Sequence, residues 1–370
     1  MNDRWQNYFS HLIKRQPKGI IPAILRTLLL PVSWGFRLAG NCRNWAFERR
    51  FLRTYSPPVP LVISIGNIVA GGTGKTPVTM LLAHEFDSIN QIAILTRGYR
   101  SPAEKRKDPT LLSSGSGIIL HPSSDCGDEP FLLARNLPKA IVIVGKNRRA
   151  AAHIAVHEGA KLIILDDGMQ HRRLDRDLDI VVMHADNIFG HGHFLPRGLL
   201  RESPKSLERA DLIILNHIKN SDHYSELLQE IKIHTSAPVV GVQMKVRSLM
   251  NAAGKQIETL NGKKVGLFCG IGHPEQFQAT IQKQGADIIA TQIFPDHRTF
   301  DRNGLIKFAK HCKTLGAEAL VCTEKDFVKL IQPCHLELPI IWPKMHLCIV
   351  EGETHWKQFI DHAKSKLHAK

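Results

Sequence analysis

The residues most able to do chemistry lie in Gly66-Asn67-Ile68-Val69-Ala70-Gly71-Gly72-Thr73-Gly74-Lys75-Thr76. An apolar run, Leu61 to Ile65, enters this stretch, and an apolar helical pattern from Val78 to Ala83 leaves it. Strand, glycine-rich turn, Lys-Thr and helix make the layout of a phosphate-binding loop. Glycines let main-chain N–H groups close on phosphate oxygens, and the helix N-terminus favours negative charge. The lysine reaches the terminal phosphates and the threonine hydroxyl serves Mg²⁺. The strict spacing asks for glycine at Val69; Gly71, Gly72 and Gly74 supply the flexibility instead. A glycine turn that merely contains Lys-Thr is the plain alternative, and the flanking strand and helix argue against it.

A second signal is Leu162-Ile163-Ile164-Leu165-Asp166-Asp167-Gly168-Met169-Gln170-His171. An apolar strand ending in acid is the Mg²⁺-supporting strand of phosphate-loop enzymes. Adjacent aspartates leave a strand end in different directions, so one can serve the metal and the other a water or a partner. His171 alone would be an ordinary histidine; its place beside Asp166-Asp167 makes it a site candidate. Asp128, in Cys126-Gly127-Asp128-Glu129-Pro130, precedes a helical run from Phe131 to Asn136. It reads as a helix cap or as a general base for a substrate hydroxyl. Arg97 and Arg148-Arg149 stand at strand ends, as phosphate clamps or as solvated cations. His191-Gly192-His193 has no evident further ligands for a metal. Leu195 to Glu202 reads as an ordered loop with two guanidinium groups, Arg197 and Arg201.

The elements that must position these residues show in the hydropathy. Runs at 61–65, 92–95, 140–144, 161–165, 179–183 and 211–215 alternate with helical patterns and read as buried parallel strands. The fold class expected is α/β: a phosphate-loop, three-layer α/β/α core with a second, smaller α/β domain. Ligands of such sheets sit at the carboxyl ends of the strands. Residues 236–262 lose the rhythm and read as short strands or a linker ribbon. A second alternation follows, with strands at 265–269, 287–293, 319–322 and 340–342. Its candidate functional ends are Gly270 to Pro274, Phe294 to Arg298 and Thr323 to Asp326. The expected division is 1–55, 56–235, 236–262, 263–350 and a C-terminal helix, 351–370.

The chain carries 49 basic and 34 acidic residues, a net charge of +15. Such a balance suits an anionic partner. Residues 1–53 hold ten Lys/Arg against two carboxylates, with Trp5, Trp34 and Trp45. Trp5, Tyr8, Phe9, Leu12 and Ile13 form one helical face. Trp34, Leu38, Cys42, Trp45, Arg49 and Leu52 suggest another helix, up to Tyr55. The longest uncharged stretch, Thr27 to Phe36, is ten residues, and Pro22 and Pro31 interrupt it. A span needs roughly 20, so the expectation is an N-terminal segment lying on an anionic membrane surface, or helices packed on the domain, or both. Seven scattered cysteines without a C-x-x-C indicate neither zinc ribbon nor disulfide framework and fit a reducing cytosol. A GTPase would want an Asn-Lys-x-Asp segment, which neither Asn216-His217-Ile218-Lys219 nor Thr323-Glu324-Lys325-Asp326 supplies. A nucleic-acid-dependent ATPase would spread its charge along a polar stripe.

Taken together, Gly66-Asn67 through Lys75-Thr76-Pro77, Thr96-Arg97-Gly98-Tyr99, Gly127-Asp128-Glu129-Pro130, Asp166 to Arg172, Leu195 to Glu202, Phe294-Pro295-Asp296-His297 and Thr323 to Asp326 resemble the tetraacyldisaccharide 4′-kinase family, the lipid A 4′-kinases of Gram-negative bacteria. That family's loop also does without the first glycine; Met169 stands where it commonly has Phe. The resemblance implies ATP- and Mg²⁺-dependent phosphorylation of the 4′-hydroxyl of tetraacyldisaccharide 1-phosphate, giving lipid IVA. It implies two α/β domains meeting over a cleft, peripheral attachment at the cytoplasmic face of the inner membrane, and no nucleic-acid or obligate protein partner. Residue by residue, it implies that Gly71, Gly72, Thr73, Gly74 and Lys75 hold phosphates and that Thr76, Asp166 and Asp167 serve Mg²⁺. It makes Asp128 the base, with His297 its partner, and Lys75 and Asp167 catalytic. His171, Arg148, Arg149 and Asn67 would touch the acceptor's headgroup or phosphate.

Overall fold

Unbroken apolar strands form the centre of one sheet. The structure, a computed structural model, describes residues 19–89, 91–272, 274–294, 302–330 and 336–369. Its strands are β1 (Leu61–Gly66), β2 (Ile92–Thr96), β3 (Thr110–Ser114), β4 (Ile141–Val144), β5 (Leu162–Asp166), β6 (Leu178–His184), β7 (Leu212–Asn216), β8 (Val239–Asn251), β9 (Gln256–Ile257), β10 (Lys264–Cys269), β11 (Asp287–Ile293), β12 (Ala319–Val321) and β13 (Ile340–Glu351). Among the described residues they join in the order β11-β10-β12-β13-β8-β7-β6-β1-β5-β2-β4-β3, with β9 on β8. Every residue of β1, β2, β4, β5 and β7 is buried, as strands covered on both faces must be. β1 lies between β5 and β6 and is parallel to both, with Ile65 opposite Asp166. Parallel register therefore brings the loop after β1 and the Asp166-Asp167 turn after β5 to one edge.

On one face, the helices Lys75–Glu85, Asp128–Asn136 and Glu353–Ala369 pack Val78, Leu82, Leu133, Trp356 and Phe359 against Ile63 and Ile65. On the other, the helix Arg148–His157 packs Ala151, Ala152 and Ala155 against Val62, Leu95 and Ile143. The second lobe repeats the scheme: Phe277 and Ile281 cover one face of β10, and Leu305, Phe308 and Cys312 the other.

Three expectations change. Residues 239–251 are one long strand, which pairs with β7 at its start and runs antiparallel to β13 for the rest. The resulting ribbon makes the two lobes a single continuous sheet. It was hard to see because most of β8 beyond Val242, and much of β13, is only half-buried and needs no continuous apolar run. β13 also outruns the expected 340–342, continuing past Pro343 and Lys344 to Glu351. Finally, the helix expected to reach Tyr55 stops at Glu48, where Arg50 turns the chain with φ 58.

The segment 5–13 lies outside the described residues. The helices Ile20–Leu28 and Leu30–Glu48 follow one another, parted at Leu29, and Pro31 sits in the first turn of the second, where its missing N–H costs nothing. By length and composition Ile20–Glu48 is long and apolar enough to cross a membrane, and its most apolar window is 6% buried. The sequence argues against that length, because its longest uncharged stretch, Thr27 to Phe36, is ten residues and Pro22 and Pro31 interrupt the run.

The last helix returns to the first lobe. Trp356 is buried there and its Nε1 donates to Glu85 Oε1 at 2.9 Å. Trp356→Ala should cost about 3–5 kcal/mol, read from the urea midpoint. A loss below about 1 kcal/mol would show that this helix does not hold the core.

Candidate active site

The phosphate loop is fixed by side chains at both ends. A Cβ on Gly66 would sit 2.4 Å from Met169 Cβ, so β1 can approach the Asp166–His171 turn only as glycine. Gly74 has φ 89, and a Cβ there would meet Asn216 Nδ2 at 2.1 Å. That amide donates to Thr73 O at 3.2 Å, while Asn67 Nδ2 donates to Thr73 Oγ1 at 3.0 Å. Val69 needs no glycine because this part of the loop bridges to Leu200, with Ala70 N donating to Leu199 O at 2.7 Å.

Lys75 opens the helix behind the loop, its Nζ 3.5 Å from Asp167 Oδ1. Arg201 grips the same carboxylate with two nitrogens, at 2.8 and 3.3 Å. Burial pushes Asp167 up, but Lys75 and Arg201 outweigh it and hold the group well below the usual carboxylate range. Asp167 has φ 57, so the chain turns left-handed between the two aspartates. Asp166 stays inside: its Oδ2 accepts from Thr96 Oγ1 at 2.9 Å, and its buried Oδ1 has no partner among the described residues. Burial, then the Glu129 charge, pushes Asp166 up to about 6.

Asp128 opens its helix from the opposite side. Gly127, with φ 95, is the capping position, so the capping reading of Asp128 gives way. Asp128 Oδ2 lies 3.5 Å from Lys329 Nζ, which is also 3.1 Å from the buried Asp326. Lys329 belongs to the second lobe. Ser123 Oγ donates to Val328 O at 3.1 Å and Asn136 Nδ2 to Glu324 Oε1 at 3.0 Å, so the segment 323–329 is tied to the flank of the first lobe's site.

The arrangement offers a phosphate cradle, a lysine, a carboxylate pair and a further carboxylate across from them. These are the parts of a phosphoryl-transfer centre. The family described as Tetraacyldisaccharide-1-P 4′-kinase matches residues 25–364. The chain belongs to this family. It is 36% identical over 323 residues to the tetraacyldisaccharide 4′-kinase of Anaeromyxobacter dehalogenans (strain 2CP-C), covering 85% of this chain and 84% of that one. It is 35% identical over 351 residues to that of Anaeromyxobacter sp. (strain Fw109-5), covering 93% of each. The fold matches a crystal structure of the "apo" form of LpxK from Aquifex aeolicus in complex with ATP, at TM-score 0.74 and 28% identity, over 92% of this chain and 99% of that one.

Within this kinase family member, several expected site residues have other work. Asn67 is fully buried; its Nδ2 serves Thr73 and its Oδ1 accepts from Arg201 Nη1 at 3.0 Å, so it cannot touch an acceptor directly. Arg148 is buried too, donating to Gly145 O and, at 3.1 Å, to Asp166 O. Burial lowers it to about 10, which leaves it charged. It fastens the ends of β4 and β5 rather than meeting a headgroup. Arg149 is exposed and stacks over Tyr55, 5.0 Å from the ring centroid. His171 is half-buried, and burial and the Arg148 charge push it down to about 4, so its imidazole is neutral at pH 7. His297 lies outside the described residues.

Sequence reasoning left four contributors without a role. Glu129 adjoins Asp128, and Arg201 was noted only as a guanidinium in a loop; adjacency and loop composition were their signals. Thr96 stood in a quoted motif without a role, and Lys329 gave no signal, because only the fold brings them to Asp166 and Asp128.

The raised Asp166 favours its protonated form in the folded chain. Its stabilising contribution is therefore complete below about pH 4 and is lost as pH rises through about 6. Without added divalent cation, the melting temperature should fall across that window. Asp166→Asn should flatten the step and melt higher than wild type at pH 8. An unchanged profile in the variant would place the titration elsewhere.

Proposed function

We propose that this chain transfers the γ-phosphate of ATP to the 4′-hydroxyl of tetraacyldisaccharide 1-phosphate, forming lipid IVA. The observation that carries the reading is the Lys75–Asp167–Arg201 cluster at the mouth of a phosphate loop, in a chain of the 4′-kinase family. Main-chain N–H groups of residues 71–74 and the Lys75 ammonium take the phosphates. Lys75 exchanges part of its attraction for Asp167 for the incoming anion.

The unpartnered Asp166 oxygen, Asp167 and the Thr76 hydroxyl fit Mg²⁺, which keeps most of its shell as water and phosphate oxygens and asks for only one or two carboxylates. When bound, the ion neutralises charge on the β- and γ-phosphates. Asp128 accepts the 4′-hydroxyl proton, oriented by Lys329 and partnered by His297. Neutral His171 donates a hydrogen bond to the acceptor. Asn67, Arg201 and Arg148 act by holding the loops in place. In this reading residues 56–235 hold the nucleotide, 263–350 bring Lys329 to Asp128, and the β8–β13 ribbon joins them.

The N-terminal helix supplies the membrane surface. Ile20, Ile24, Leu28, Trp34, Leu38 and Trp45 are more than half exposed. The same helix is fastened to the core, with Ser33 Oγ donating to Phe194 O at 2.8 Å and Asn44 Nδ2 to Glu202 Oε2 at 3.0 Å. These anchors lie about 16 Å apart along the axis. A helix so held lies on the anionic cytoplasmic face of the inner membrane rather than passing through it.

Transfer of labelled γ-phosphate from Mg²⁺-ATP to tetraacyldisaccharide 1-phosphate in mixed micelles tests the reading, with Lys75→Ala as blank. Asp128→Ala should retain ATP binding and lose roughly 10²–10⁴-fold in turnover; near-normal turnover would remove Asp128 from the chemistry. Replacing Trp34 and Trp45 by Ser should weaken partition into phosphatidylglycerol vesicles by at least about tenfold. Unchanged partition would detach the membrane role from this helix.

A further inference from the structure

The motif Thr323-Glu324-Lys325-Asp326 has no part in the phosphate cradle, yet it is built around a buried charge. Asp326 is buried. Its Oδ2 accepts from Gly270 N at 3.0 Å and from Thr323 Oγ1 at 2.7 Å, and its Oδ1 accepts from Lys329 Nζ at 3.1 Å. Asp326 N in turn donates to Thr323 Oγ1 at 3.1 Å, which caps the short helix Glu324–Phe327. A buried carboxylate needs partners of this kind. Lys329 does more than neutralise it. It stands one turn on from Asp326 with a side chain only 5% exposed, and its ammonium also lies 3.5 Å from Asp128 Oδ2 in the first lobe.

The rest of the segment lies along the same first-lobe helix, Asp128–Asn136. Near the start of that helix, Lys325 Nζ is 4.0 Å from Glu129 Oε1. At its end, Asn136 Nδ2 donates to Glu324 Oε1 at 3.0 Å. The Arg135 guanidinium lies 5.1 and 5.4 Å from the ring centroids of Phe327 and Trp342, which stack on one another. Val328 O accepts from Ser123 Oγ. These contacts dock the segment on the helix without a buried ammonium. A lysine taken out of water between two carboxylates adds little to docking, because desolvation offsets much of the attraction.

The chemistry of Asp128 gives the lysine a purpose. A carboxylate that must take a proton beside a polyphosphate sits among anions, which favour its neutral form. An ammonium in contact with it opposes that. A second carboxylate on the same ammonium moderates the effect, so Asp128 stays charged without losing the basicity that proton transfer needs. Around Asp128 the second lobe thus sets Lys329 and Lys325 against Asp326 and Glu129.

We propose that Asp326 and Lys329 form a positioning pair for Asp128, in which the buried aspartate fixes the lysine and the lysine gives the base a fixed counter-charge beside the bound nucleotide. The proposal rests on the kinase reading above. Lys329 keeps its own proton throughout, and the 4′-hydroxyl proton goes to Asp128.

Transfer from Mg²⁺-ATP to tetraacyldisaccharide 1-phosphate in mixed micelles is compared for wild type, Lys329→Met, Lys329→Ala and Asp326→Asn. Lys329→Met, similar in length but uncharged, should lower kcat at least about tenfold and leave KM for ATP and for the acceptor within about twofold. Lys329→Ala should lose as much and regain turnover in propylammonium, but not in propanol. Asp326→Asn should lose less and gain nothing from propylammonium, since its lysine remains. Wild-type kcat in Lys329→Met or in Asp326→Asn overturns the pair. So does equal recovery of Lys329→Ala in propanol, which would make the lysine a filler of space. A loss confined to KM, or a fall in kcat that tracks melting temperature and answers to neither additive, reduces the segment to a clasp and also overturns it.

If wild type phosphorylates no such acceptor, the kinase reading fails instead, and the pair is judged without turnover. The ¹³C signal of the Asp128 carboxyl, assigned by its loss in Asp128→Asn, is titrated with the non-hydrolysable analogue AMP-PNP and Mg²⁺ bound. A midpoint at or below about 4 that rises in Lys329→Met sustains the pair, and one that does not move ends it. Should Lys329→Met fail to fold, the wild-type midpoint decides: at or below about 4 it sustains the pair, and higher it ends it.

Discussion

A single carboxylate held between two cations organises the centre of this molecule. Asp167 stands between Lys75 and Arg201, and each of the three comes from a different segment. Lys75 follows the phosphate loop, Asp167 ends β5, and Arg201 lies in the loop after residue 195. Their meeting requires the parallel pairing of β1 with β5, the absence of a side chain at Gly66, and the main-chain bond from Arg201 N to Ile68 O at 2.7 Å. Like charges with no anion between them would repel; the aspartate lets lysine and arginine share a site that a phosphate can later enter. Pre-assembly of this kind reduces the reorganisation needed when charge develops during transfer.

A second buried carboxylate ties the helix Leu30–Glu48 to that centre. Glu202 is 3% exposed and accepts from Asn44, Gln170 and Arg209. Burial disfavours its charge, but Arg209 and the amide donors outweigh that and hold it below the usual carboxylate range. Gln170 also donates to Asn67 O at 2.8 Å, at the root of the phosphate loop. A continuous polar chain therefore runs from the helix to the loop, and the apolar face of that helix is turned outward by the same contacts. Two of its members keep a buried atom without a partner among the described residues, Gln170 Oε1 and Arg209 Nε, so the network is only partly satisfied.

The sequence revealed the parts whose physics is local. Strands covered on both faces are continuous apolar runs, and β1, β2, β5 and β7 were legible as such. The phosphate loop and the Asp166-Asp167 turn were legible because glycine spacing and acid after a strand have few other uses. A ribbon at 236–262 was legible but its length and its pairing with β13 were not, since half-exposed antiparallel strands such as β8 and β13 tolerate Lys245, Pro343 and His346 within them. Asn67 and Arg148 show the converse difficulty. The resemblance implied contact with the acceptor, yet both are buried and engaged with backbone or neighbouring side chains. Burial of a polar side chain is decided by partners remote in sequence, which residue type does not encode.

Adjacent aspartates leave a strand end in different directions, and here their surroundings differ as well. The left-handed turn at Asp167 brings its carboxylate to Lys75 and Arg201, while Asp166 stays beneath with Thr96 and faces the charge of Glu129. One group is locked as an anion and the other is poised between forms, with a buried oxygen that has no hydrogen-bond partner among the described residues. Separation of paired carboxylates by environment is how one site holds groups with distinct tasks at one pH. Asp128 completes the set from the far side, and the lysine beside it comes from the other lobe. The pairing of that carboxylate thus depends on contacts between lobes, whereas Asp167 is held by Lys75 and Arg201 of the first lobe alone.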